Sequence, residues 1–197
     1  MNLWEIEQEY AAKGFRLICG ADEAGAGPLA GAVYAAAVML PLGTEIDGLN
    51  DSKQLTEKKR EALFGIIQDS AIAWAIRWVD EAEIDAINIL QARLKAMALC
   101  IDALEPAPDF ALIDGNRDQG ICCPHLAVVK GDSRSANIAA ASILAKVARD
   151  RYMTDMDRLY PEYGFARHKG YPTKAHYEAL RKYGPCPIHR RTFLKKL

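Results

Sequence analysis

The chain has 197 residues, half of them hydrophobic, which suits one unit with a substantial core, and no second full domain is expected. Net charge is −1, yet residues 158–197 hold ten Lys and Arg against Glu162 and Glu178, or +8, leaving −9 on the remainder. Such a division reads either as a polyanion clamp beside a cation-binding face or as a solvated basic tail. Met1 to Glu9 carry acids rather than a basic leader, and the uncharged stretch Ala24 to Thr44 is broken by glycines and prolines, so neither a signal peptide nor a membrane span is expected. In chain order, residues 3–12 predict an opening helix, and strands are expected at 15–21 and 31–39, separated by turn chemistry at Gly25, Gly27 and Gly31. Thr56 is placed to cap a helix from Glu57 to about Asp69, with Leu63, Ile66 and Ile67 on its apolar face. A third strand, Ile72 to Val79, follows. Ile87, Leu90, Leu94, Met97 and Ile101 recur at helical spacing, and Pro106 and Pro108 close that helix before a strand from Phe110 to Ile113 that ends on Asp114. Another strand, Leu126 to Val129, ends near Asp132. An alanine-rich helix spans Ser133 to Leu159; a loop rich in Gly, Tyr and His then leads to a shorter helix, Thr173 to Lys182, with Pro172 just before it. A strand-rich start followed by alternating strands and helices predicts an α/β sheet with helices on both faces, a class in which ligands gather at strand ends.

Five cysteines, Cys19, Cys100, Cys122, Cys123 and Cys186, lack metal-finger spacing, and the vicinal pair is strained as a disulfide. A reduced, cytoplasmic protein is expected.

Three apolar runs end in acids: Leu17-Ile-Cys-Gly-Ala-Asp22-Glu23, Ala111-Leu-Ile-Asp114 and Val128-Val-Lys-Gly-Asp132. Adjacent acids at a strand tip raise each other's pKa unless a metal or basic group neutralises them. A single doublet would read most simply as a solvated acidic turn. Repetition at three strand ends instead suggests an all-oxygen site of the kind Mg²⁺ or Mn²⁺ prefers. Two such ions ~4 Å apart would activate a water and stabilise the leaving oxygen of a phosphodiester, which points to a metal-dependent nuclease or phosphoryl-transfer enzyme.

Seven blocks carry a resemblance: Gly20-Ala-Asp-Glu-Ala-Gly-Ala-Gly-Pro-Leu-Ala-Gly31, Leu49-Asn-Asp-Ser-Lys-Gln-Leu-Thr56, Leu112-Ile-Asp-Gly-Asn116, Lys130-Gly-Asp-Ser133, Ala139-Ala-Ala-Ser-Ile-Leu-Ala-Lys146, His168-Lys-Gly-Tyr171 and His189-Arg-Arg-Thr-Phe193. In this order, over nearly the whole chain, they resemble the bacterial ribonuclease HII family of type 2 ribonucleases H. The resemblance implies a ribonuclease H-like fold, a mixed β-sheet flanked by helices, with residues 1–197 as a single domain and a basic helical extension at about 158–197. It implies an endonuclease that cuts the RNA strand of RNA/DNA hybrids. It also implies nicking of duplex DNA 5′ of embedded ribonucleotides, leaving 3′-hydroxyl and 5′-phosphate ends, as ribonucleotide excision repair requires. Matched residue by residue, the metal-binding and catalytic acids are Asp22, Glu23, Asp114 and Asp132, using Mg²⁺ or Mn²⁺. Substrate contacts fall to Gly25, Ala26 and Gly27, whose main chain approaches the ribose 2′-hydroxyl, and to Tyr171, which reads the ribonucleotide junction. Ser52 and Lys53 join them, Lys53 as a phosphate contact. His168, His189, Arg190 and Arg191 either bind backbone or fix the C-terminal segment, and the histidines are expected to be structural. A monomer is expected.

One position departs from the family pattern: Ala26 stands where the family has arginine. A charge-assisted contact is worth roughly 1.5–3 kcal/mol, so the expectation is an enzyme weakened about tenfold to a hundredfold with its reaction type unchanged. A catalytically silent hybrid-binding protein is the alternative, against which the four intact acids argue. Junction resolution by another ribonuclease H-like nuclease would leave Tyr171 and the paired glycines without a task. Gly25-x-Gly27-x-x-Ala30 also fits a dinucleotide-binding turn, but Pro28, Gly31 and the strand-like Val33 to Met39 oppose the helix that motif must open.

Overall fold

Small and branched apolar residues alternate along residues 33–39, and the alternation sends Ala35 and Ala37 to one face of a sheet and Ala36 and Val38 to the other. The computed structural model, which describes residues 2–49 and 55–195, builds on this strand a mixed five-stranded sheet in the order β3-β2-β1-β4-β5. The strands are β1 (Ile18–Ala24), β2 (Val33–Met39), β3 (Ala73–Val79), β4 (Phe110–Asp114) and β5 (His125–Val128). β2 runs antiparallel to β1 and β3, whereas β4 runs parallel to β1 and β5. Helices α1 (Glu5–Ala12), α2 (Glu57–Ser70), α3 (Glu81–Ile87), α4 (Ile89–Asp102), α5 (Ala136–Leu159), α6 (Phe165–His168) and α7 (Lys174–Tyr183) flank it. The α/β class expected from the sequence is the class observed.

One face is covered by α4, whose Ala92, Met97 and Ile101 pack with Cys19, Ala21 and Ala35. The other is covered by α5 and α2, where Ala140, Ala141 and Leu144 meet Ala36, Val38 and Phe64. Alanine dominates the α5 contact, so helix and sheet approach closely. At Gly20 the backbones nearly touch: a Cβ there would lie 2.3 Å from Ile138 N. Asn137 beside it donates from Nδ2 to Ile18 O and accepts from Leu40 N, tying the start of α5 to both strands. Ser135 caps α5, and Glu7 Oε1 accepts from Ser135 Oγ and Asn137 N at the same helix start.

Three local expectations are corrected. β1 extends through the acidic doublet to Ala24 rather than ending before it, because β2 pairs with it as far as Ala24↔Tyr34. The helix expected through residues 87–101 is α4, starting at Ile89; Ile87 instead ends the separate α3, since Asn88 adopts φ 66° and its side chain caps α4 by accepting from Leu90 N and Gln91 N. The loop after α5 contains α6, and the run before α5 holds a 3-10 turn, Gly131–Ser133.

Candidate active site

Sheet register decides which way each acid points. Ala21 and Ile113 pair across β1 and β4 and face α4, so their successors Asp22 and Asp114 face α5, while Glu23 returns to the α4 side. Asp22 is 4% exposed. Its pKa is raised well above the carboxylate range by burial first, then by the charges of Glu23 and Asp114, against a hydrogen bond from Ser142 on α5. Glu23 N donates to Asp22 Oδ1 at 2.7 Å. Gly131 N donates to Asp114 Oδ1 at 2.7 Å, which brings the 3-10 turn carrying the buried Asp132 against β4. On the opposite side, Arg93 Nη1 of α4 lies 3.2 Å from Glu23 Oε1.

A cleft of about 200 Å³ opens above these acids. Asp22, Glu23 and Asp114 line its floor, Gly25, Ala26 and Gly27 one wall, and Tyr171 its rim, with Ser142, Lys146 and Arg149 from α5. Most of the expected site residues are therefore gathered in one place. Asp132 is not among the lining residues, and Ser52 and Lys53 lie outside the described residues.

The wall segment 25–31 is held by two buried arginines. Arg190 donates to Gly25 O, Ala26 O, Pro28 O and Gly31 O at 2.6–3.1 Å, and Arg149 to Ala30 O and Ala32 O at 3.2 Å each. Burial, then the nearby Arg149 charge, pushes Arg190 down to about 9, still a cation at neutral pH. Gly25 has φ 98°, and a Cβ there would strike Arg149 Nε at 2.0 Å, so glycine is required by the fold. Gly27 differs: a Cβ would meet only Tyr171 Cε1 at 3.7 Å, an ordinary contact.

Of the alternatives for the C-terminal motif, Arg190 fixes the segment to the body. The histidine side chains instead bind within the segment itself. His176 Nε2 and His189 Nε2 are 3.0 Å apart, Cys186 N donates to His189 Nδ1, and His168 Nε2 contacts Tyr163 O. Burial, followed for His189 by the His176 charge, lowers both His176 and His189, His189 to about 4.

Arg149, Lys146 and Ser142 were not singled out in the sequence, although their i, i+4, i+7 spacing on α5 places them on one face. Arg93 carried no sequence signal, being one charge within an apolar helix pattern.

The donor set of Asp22, Glu23 and Asp114 is all oxygen and suits Mg²⁺ or Mn²⁺, and a divalent cation would offset the repulsion that raises Asp22. Among the described residues no group of three His, Cys, Asp or Glu side chains is arranged to hold an ion outright.

The sequence model of the family described as Ribonuclease HII matches residues 19–196. The chain is 56% identical over 189 residues to ribonuclease HII of Acetivibrio thermocellus, covering 96% of this chain and 74% of that protein. Against ribonuclease HII of Caldicellulosiruptor saccharolyticus it is 50% identical over 196 residues, covering 100% and 96%. Among solved structures, ribonuclease HII of Archaeoglobus fulgidus, determined in complex with PCNA, superposes with a TM-score of 0.75 at 25% identity over 92% of this chain and 96% of that one. Ribonuclease H2 from Pyrococcus horikoshii OT3 gives 0.70 at 28% identity over 89% and 92%. The chain belongs to the ribonuclease HII family and is a ribonuclease H.

Proposed function

We propose that this ribonuclease H is a divalent-metal-dependent endonuclease that hydrolyses the RNA strand of RNA/DNA hybrids. On duplex DNA it nicks 5′ of an embedded ribonucleotide, leaving 3′-hydroxyl and 5′-phosphate ends, the entry to ribonucleotide excision repair. The observation that carries this reading is the single cleft in which Asp22, Glu23 and Asp114 face Gly25–Gly27 and Tyr171. Divalent ions bound there would activate a water and stabilise the departing 3′-oxygen.

Asp22, Glu23 and Asp114 would hold the ions, and Asp132 would complete the acidic set from beside the Gly131 amide that fixes Asp114. Arg149 and Arg190 hold the wall rigid, so its main chain is already in place to meet a ribose 2′-hydroxyl. Gly27 supports this role. Its bareness is not demanded by the fold, so the missing side chain clears space for what lies over the wall. Tyr171, 43% exposed, is free to stack on the sugar at the junction. Lys53 and Ser52 contact phosphate, following the family resemblance. Ala26 weakens the grip on the scissile phosphate without removing a metal ligand.

Residues 1–197 act as one ribonuclease H-like monomer whose basic end, 158–197, draws in the polyanion. Its five cysteines are free, in keeping with work in the cytoplasm. Among the described residues no helix is long and apolar enough to cross a membrane.

Incubating the full chain with an end-labelled RNA/DNA hybrid tests the reaction class. Cleavage of the RNA strand in Mg²⁺ or Mn²⁺, abolished by EDTA and yielding 5′-phosphate ends, is expected. Cleavage that persists in EDTA would overturn the metal assignment.

A further inference from the structure

Among the described residues, a cation from the far side of the sheet engages one of the acids of the proposed active site. Arg93 projects from α4 with Nη1 3.2 Å from Glu23 Oε1, and its Nη2 lies 3.2 Å from where a Cβ on Gly115 would stand, next in chain to Asp114. The guanidinium thus sits at the edge of the acidic cluster, on the side of the sheet opposite Asp22. Lys146 and Arg149 also line the cleft, but they are committed elsewhere: Lys146 Nζ to Asp150 Oδ1 at 2.6 Å, and Arg149 to main-chain carbonyls. Arg93 is held differently. Its Nε is buried with no acceptor among the described residues, and the side chain keeps 23% of its surface exposed, so attraction to Glu23 rather than a fork of hydrogen bonds places it.

We propose that Arg93 is a displaceable counter-ion: it neutralises Glu23 when no divalent ion is bound, competes with the ion for that carboxylate, and so sets the ion concentration at which the site fills. The inference rests on the reading of Asp22, Glu23 and Asp114 as metal ligands. A guanidinium at 3.2 Å and a divalent cation on the same carboxylate repel each other across a few ångströms of half-buried protein. Binding of one therefore opposes binding of the other, and the opposition is reciprocal. Freed from Glu23, Arg93 remains as a positive charge beside the acids, where Ala26 supplies none.

Direct Mn²⁺ titration of the substrate-free full chain, followed by electron paramagnetic resonance of the free ion, reads this without any cleavage. Arg93→Gln and the shorter Arg93→Thr are both made, each checked for folding by circular dichroism, so that one folded variant suffices. Arg93→Gln or Arg93→Thr is expected to tighten Mn²⁺ binding about tenfold. Arg93→Lys, which keeps the charge, is expected to stay within about threefold of the parent. Thermal melting supplies a second readout: without Arg93 the melting temperature in chelator falls, and saturating Mn²⁺ recovers it. A parent that binds Mn²⁺ while the neutral variants bind it with the same constant, or more weakly, overturns the counter-ion role and leaves the metal reading standing. A parent that binds no Mn²⁺, with Asp22→Asn making no difference, overturns both.

Discussion

Asp22 pays for its position in stability. Its carboxyl is buried beside Glu23 and Asp114, and its raised pKa means that the folded protein resists ionising it at neutral pH. Stability from this group is greatest at low pH and declines as pH rises through the ordinary carboxylate range towards the raised folded value. Asp22→Asn is accordingly predicted to raise the melting temperature of the metal-free protein while lowering cleavage by at least about a thousandfold, as loss of several kcal/mol of charge stabilisation requires. Differential scanning calorimetry in EDTA beside a hybrid-cleavage assay checks both signs, and a variant that is less stable and still active would contradict the assignment. Ala26 is the converse case, proposed as a site residue whose absent charge costs activity. Ala26→Arg is predicted to raise cleavage or hybrid affinity about tenfold to a hundredfold, measured as kcat/KM on a hybrid substrate. No gain would show that Ala26 is not a weakness.

The cleft wall and α5 are set by elements whose glycines serve different ends. Gly20 lets α5 approach β1, and Gly20→Ala would force Cβ within 2.3 Å of backbone, so a loss of about 2 kcal/mol or more is predicted by urea unfolding. Gly27→Ala meets only a 3.7 Å contact and should change stability by less than about 0.5 kcal/mol while reducing cleavage at a ribonucleotide. Equal activity in Gly27→Ala would remove the main-chain reading of the sugar. The sequence made the acids and the glycine turn legible because apolar runs ending in Asp or Glu are a local pattern. It placed the doublet past a strand rather than inside one, since the pairing that extends β1 to Ala24 is made by the distant Tyr34. The break that separates α3 from α4 was hidden for a related reason: Asn88 at φ 66° is a backbone choice that apolar periodicity does not register. The cage around residues 25–31 was illegible too, because Arg149 and Arg190 reach it from more than a hundred residues away in the chain.

Across the whole molecule, an acidic body meets a basic C-terminal segment; Arg190 joins the two, and beside it His189 is buried within the segment. His189 is pushed down to about 4, so an unfolded chain takes up its proton near 6.5 while the folded one resists. Stability is full above pH 6.5 and declines as pH falls towards 4, by about 2 kcal/mol between pH 7 and 5. Urea midpoints at those two pH values should show a smaller drop in His189→Gln than in the parent; an equal drop would place the titration elsewhere. Arg190, next in the chain to His189, links the end of the chain to the cleft wall near its start. The most direct test is cleavage of an end-labelled DNA duplex carrying a single ribonucleotide, with and without Mg²⁺ or Mn²⁺, mapped at nucleotide resolution. A metal-dependent nick immediately 5′ of the ribonucleotide is the predicted result. Binding without a nick, or cuts that ignore the ribonucleotide, would contradict it.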